Sequence, residues 1–181
     1  MTNIDIAAFS DYGEIDAKII ENYAETLGFK FPKSYVQLLS KHNGLTPEKN
    51  YFQFLDHNDE ITDRVISFYS YGYEKIEIWD EDDRKKYNES IKEYEAIELN
   101  QPEEYMYDEY MYKNMVIIGD CAGGDLIAFD YRDNLNTDEP AITLIYHDDL
   151  IAISPTQDKL RTIKIADSFN SFIALLKEDD F

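Results

Sequence analysis

The stretch Met115 to Arg132, MVIIGDCAGGDLIAFDYR, constrains this chain more than any other. Val116, Ile117 and Ile118 form one short apolar run and Leu126 to Phe129 a second. Between them Gly123 and Gly124 supply backbone angles that other residues resist. The pattern predicts two buried strands folded back on each other, with Asp120 to Gly124 as their connection and carboxylates at both lips.

The rest of the chain is placed around that hairpin. Ile15, Ile19, Tyr23 and Leu27 recur every fourth residue and predict a helix from Glu14 to Leu27, stopped by Gly28. A second helix starts at Pro32, tolerated in a first turn, and buries Tyr35, Leu38 and Leu39. It ends before Asn43-Gly44, where both residues suit positive φ, and His42 sits favourably at its negative end. Two helices are thus expected before any strand. Strands follow at Tyr51 to Leu55 and Arg64 to Tyr71, joined by the polar loop Asp56 to Glu60. That loop lacks the glycine and terminal glutamate spacing of a calcium-binding hand and reads as a solvated turn. Past the hairpin, Ala141 to His147 alternates, with Ile142, Leu144 and Tyr146 on one face. Leu150 to Ser154 is a short strand cut off by Pro155, and Arg161 to Ile165 another. A last helix, capped by Asp167 or Ser168, runs to Lys177 with Phe169, Phe172, Ile173 and Leu176 inward.

Between Glu74 and Glu109 the composition changes: carboxylates far outnumber basic residues and no apolar alternation persists. A helix is expected over 82–97, preceded by Trp79 and the acidic run Asp80, Glu81, Asp82, Asp83. Beyond it come Tyr105, Tyr107, Asp108, Glu109 and Tyr110, tyrosines set among acids. Tyrosine supplies rigid contact area and charge speeds encounter, so residues 80–112 read as an acidic, tyrosine-rich elaboration suited to a basic protein partner. The competing reading is a loop whose tyrosines pack inward. His147, Asp148 and Asp149 form a second candidate patch at a strand end.

Chain-wide charge points the same way. With 17 Lys and Arg against 38 Asp and Glu the net charge is −21, which disfavours direct binding to nucleic acid or an anionic membrane. No apolar run reaches the length of a signal peptide or a membrane span, so a cytoplasmic protein is expected. One cysteine, Cys121, permits no internal disulfide. No Pro/Gly/Ser-rich linker interrupts the chain, so residues 1–181 are expected to form a single domain.

Catalytic readings fare poorly. The glycine turn lacks the lysine and hydroxyl of a phosphate-binding loop and is followed by a strand, so nucleotide binding is rejected and no cofactor is expected. Asp130 lies at the far end of its strand from Asp120 and Asp125, which argues against a three-carboxylate metal centre; no metal is expected. Asp120 and Asp125 are read as acceptors for turn amides, and Asp130 as a strand-end cap pairing with Arg132. Cys121 has His147 as a conceivable base but neither a third group nor a positive setting, so it is read as an inert turn residue.

Two helices, a run of strands and a closing helix make an α+β domain: a mainly antiparallel sheet of about six strands packed against N-terminal and C-terminal helices. Three blocks in order carry a resemblance: Gly28 to Pro32 leading to Tyr35, Leu38, Leu39 and Asn43-Gly44; Gly119, Asp120, Gly123, Gly124, Asp125 and Asp130; and Ala166 to Phe169 leading to Phe172 and Leu175-Leu176. In these the chain resembles the SMI1/KNR4 family, also called the SUKH superfamily. The middle third departs from the family pattern. The resemblance implies the α+β fold and structural roles for Pro32, Tyr35, Asn43, Gly44 and the hairpin residues. It also implies a non-catalytic immunity protein that occludes a cognate polymorphic or contact-dependent toxin, often a nuclease. Alternatives are a regulatory or scaffolding protein like the family's fungal members and a small metal-dependent hydrolase using the hairpin carboxylates.

Overall fold

The computed structural model describes residue 4 and residues 6–72 and 109–178. The order is β1 (Ala8–Ser10), α1 (Ala17–Thr26), α2 (Lys33–Lys41), β2 (Thr46–Pro47), β3 (Tyr51–Leu55), β4 (Ile61–Phe68), β5 (Met115–Cys121), β6 (Leu126–Asp130), β7 (Ala141–Ser154), β8 (Gln157–Ala166) and α3 (Phe169–Ile173). Strands β3 to β8 lie side by side in sequence order, each antiparallel to the next, and β1 pairs with β2 in a separate ribbon. The α+β architecture expected from the sequence is the one observed. The helix over 82–97 and Trp79 lie outside the described residues.

One face of the sheet carries the main core. Phe52, Ile66, Phe68, Val116, Ile118, Ile127, Phe129, Ile142 and Leu144 meet Ile20 and Ala24 of α1, Tyr35, Leu38 and Leu39 of α2, and Phe169 and Phe172 of α3. The opposite face carries a smaller cluster, including Met115, Ile117, Leu126, Ala128, Ile145 and Leu160, covered by Met111 and Tyr112. Because β5 and β6 are buried on both faces, their apolar runs are continuous rather than alternating.

A bulge in β5 decides which polar residue stays out of the core. Pairing with β6 slips by one residue between Ile117 and Gly119. Without that slip, alternation would send Val116, Ile118 and Asp120 to the helical face. With it, Val116 and Ile118 are followed inward by Cys121, and Asp120 is left half-buried. Gly119 follows the slip at a point where β4 comes very close: an added Cβ would sit 2.5 Å from the Ser67 carbonyl oxygen.

The other family-block residues hold elements together. Pro32 occupies the N-cap of α2. Tyr35 is fully buried and its hydroxyl meets that of Tyr71 at 2.6 Å; burial pushes both phenols up, far from ionisation. Asn43, also fully buried, donates Nδ2 to the Tyr71 carbonyl and accepts from the Tyr71 amide, both at 2.7 Å.

Several boundaries differ from the sequence expectation. A strand precedes the helices, because Ala8 to Ser10 finds partners in Thr46 and Pro47. Of Asn43 and Gly44 only Gly44 takes positive φ, at +66°, since the Asn43 side chain is committed to Tyr71. Strand β4 spans Ile61–Phe68 rather than Arg64 to Tyr71, because the Tyr71 backbone bonds to Asn43 instead of to a strand. The central turn is tighter than expected: β5 continues through Cys121, whose amide bonds to the Asp125 carbonyl at 2.7 Å. The two short strands after Ala141 are one, β7, and Pro155 and Thr156 form its turn into β8, with Ser154 paired to Gln157. Helix α3 is capped by Ser168 but stops at Ile173, and Lys177 instead bonds in both directions to the backbone of Tyr51, covering the β3 edge.

Candidate partner-binding surface

The strands are unequal in length, and that inequality builds a surface. Strand β4 pairs with β5 only from Ile66 onward, and β7 pairs with β6 only up to Ile145. The β3–β4 hairpin and the β7–β8 hairpin therefore both run past the short central turn at Ala122 to Asp125, at the same end of the sheet. They are two arms rising on either side of it.

Asp125 fastens both arms to that turn. Its side chain is 5% exposed; Oδ2 accepts from Arg64 Nε of β4 at 2.7 Å, and Oδ1 meets the His147 backbone amide at 3.1 Å and Nδ1 at 2.9 Å on β7. Burial works to raise its carboxyl, but hydrogen bonds from His147 and Arg64 outweigh that and hold it below the usual carboxylate range. The expectation that Asp125 accepts from turn amides is thus corrected: its acceptors serve two distant strands. Gly124 makes room for this, with φ +99° and the His147 ring 3.2 Å from where a Cβ would stand. Gly123, at φ +101°, faces open space and serves the turn alone.

Asp130 sits at the other end of β6 and pairs with Arg132 through Nε and Nη2 at 2.9 and 2.6 Å, as the sequence suggests. Burial raises its carboxyl and the hydrogen bonds from Arg132 bring it below the usual range. Cys121 is buried and its thiol is pushed far up by burial and by the Asp125 charge, the opposite of what a nucleophile needs. Asp125, His147 and Asp148 do bring three possible ligand atoms within 4.8 Å. Both Asp125 oxygens are already engaged, however, and the Arg64 guanidinium supplies the positive charge there. This donor set is that of a charge-paired clasp rather than a cation cage.

The candidate partner residues divide into three groups. Asp80, Glu81, Asp82, Asp83, Tyr105, Tyr107 and Asp108 lie outside the described residues. Glu109 and Tyr110 are exposed and lie against the β7–β8 arm: Leu160 N donates to the Tyr110 carbonyl, and Lys159 Nζ donates to the carbonyls of Glu109 and Met111, both at 2.7 Å. His147, Asp148 and Asp149 lie on β7 within the same arm, with Asp149 tied to Arg161 Nε at 2.5 Å and Asp148 turned to solvent.

Sequence reasoning missed the facing arm. Leu55 and Ile61, paired across the base of the β3–β4 loop, are 56% and 74% exposed, and between them stand Asp56, Asp59 and Glu60. Asp56 is the turn-maker: its Oδ1 accepts from the amides of Asn58 and Glu60, and those bonds, the Glu60 amide first, lower its pKa. His57 of this loop stands edge-on to Tyr146 of β7 at 6.0 Å, so the arms meet above the turn. On the second arm Leu150 and Ile153 are also exposed. The two neighbouring projections thus place exposed aliphatic side chains among carboxylates.

No helix among the described residues is long and apolar enough to cross a membrane. No curated protein and no solved structure matches the chain. The family model described as the SMI1 / KNR4 family (SUKH-1), however, matches residues 14–175, from just before α1 to just past α3. With most of its length matched, this chain belongs to the SMI1/KNR4 (SUKH-1) family.

Proposed function

We propose that this protein is an immunity protein that binds a cognate toxin, a basic nuclease domain of a polymorphic or contact-dependent system, and blocks it by covering its substrate cleft. Immunity is a common role within the family to which the chain belongs. The observation that carries the reading is the pair of projecting arms, where Leu55, Ile61 and Leu150 stand exposed among Asp56, Asp59, Glu60 and Asp148. A nuclease cleft is lined with cations for phosphate, so an acidic projection competes for the same groups. Exposed aliphatic side chains add desolvated anchors, which charge alone does not provide. The buried, charge-paired groups at the turn fit this non-catalytic role, because Cys121 and Asp125 are both held away from reactive states.

The reading is tested by co-expressing this chain with the toxin domain encoded beside its gene. Wild type restores growth, and the charge-reversed variant D59K/E60K/D148K loses protection while keeping its melting temperature. Death of cells carrying wild-type protein would overturn the reading.

A further inference from the structure

Among the described residues, Tyr146 stands at the meeting of the arms with a polar group left incomplete. It is 9% exposed, and its hydroxyl is buried with no hydrogen-bond partner among the described residues. A buried hydroxyl without a partner costs on the order of 1–3 kcal/mol, so a fold that keeps one calls for an explanation. Phenylalanine would fill the same space in the core without that cost. The surroundings are specific: burial raises the phenol, and the charges of Asp56, Asp125 and Asp149 raise it further while Arg64 opposes them. Arg64 and Arg161 are already held by Asp125 and Asp149. That leaves Asp56, Asp59, Glu60 and Asp148 without a lysine or arginine partner among the described residues.

We infer that the meeting point of the two arms receives an arginine side chain of the basic partner, whose guanidinium donates to the Tyr146 hydroxyl oxygen and pairs with the carboxylate of Asp56. Arginine suits the position better than lysine because a planar fork can satisfy a phenol and a carboxylate at once, and its weaker hydration makes burial cheaper. Leu55 and Ile61 flank the entry and take the apolar part of the partner's segment. His57, exposed at the loop tip, stands edge-on to Tyr146, and in the proposed complex its side chain turns aside to admit the guanidinium. This inference rests on the reading of a basic protein partner, and it names the groups that recognise it.

The test is a titration of isotope-labelled protein with an oligo-arginine peptide, followed by amide chemical shifts. Shifts are expected in Leu55 to Ile61 and Tyr146 to Leu150, and not at the exposed acids Glu21 and Glu25 of α1. Y146F should weaken the peptide by about tenfold, one lost charge-assisted hydrogen bond, while its melting temperature stays level or rises. An oligo-lysine peptide should bind more weakly than oligo-arginine. Shifts spread evenly over every acidic surface, or Y146F binding as wild type does, would overturn the inference. The immunity reading fails separately: wild-type protein that does not protect cells sinks that reading whatever the peptide does, and protection by wild type with a silent titration sinks only the arginine seat.

Discussion

Asp125 shows most directly how this chain turns local sequence into long-range structure. A carboxylate with a lowered folded pKa contributes stability that is fully present above its unfolded value, near 3.9, and is lost as pH falls through the folded value. Asp125→Asn should therefore destabilise the protein at neutral pH by about 3 kcal/mol, since Arg64 loses its partner in a mostly buried site. It should also flatten the loss of stability below about pH 4 relative to wild type. Urea unfolding across that range checks both; parallel pH curves for the two proteins would contradict the clasp. The sequence shows the turn around Asp125 but not this role, because its partners Arg64 and His147 lie 61 and 22 positions away. Tyr35 was easier to place, since it sits in a helical pattern whose buried face is visible in the spacing, whereas Asn43 lies beyond α2 and is held by Tyr71, 28 positions away.

At the scale of elements, what is legible follows from burial. Strands β5 and β6, apolar on both faces, announce themselves, and β3 is placed at Tyr51–Leu55 as its aromatic composition indicates. The continuity of β7 from His147 into the stretch read as a separate strand at Leu150 to Ser154, and the first half of β8, do not, because they project past the sheet and their side chains are largely exposed. Pro155 looks like a terminator in such a stretch and is in fact the turn that reverses it. The arm is secured elsewhere, by Lys159 holding the carbonyls of Glu109 and Met111 and by Leu160 donating to Tyr110. Replacing the ammonium while keeping the aliphatic stem, Lys159→Met, should free residues 109–112 from β8. Limited proteolysis should then cut there several-fold faster than in wild type, with the melting temperature lowered by only a few degrees. Unchanged cleavage would mean that the Leu160 to Tyr110 hydrogen bond and the packing of Met111 and Tyr112 hold the segment without the ammonium.

For the whole molecule the governing quantities are a net charge of −21 and an uneven outline. Charge of that size steers a basic partner from a distance and keeps anionic polymers away, but it does not choose an orientation. In the proposed complex, orientation comes from the two arms, which together hold exposed aliphatic side chains, carboxylates without a lysine or arginine partner among the described residues, and the buried Tyr146 hydroxyl. The most direct test of the claim that this body acts as a plug is a titration of the toxin domain's catalytic activity with purified protein. Activity should fall in a straight line and reach zero at one chain per toxin domain. Activity that persists when the chain is in large excess would contradict the claim.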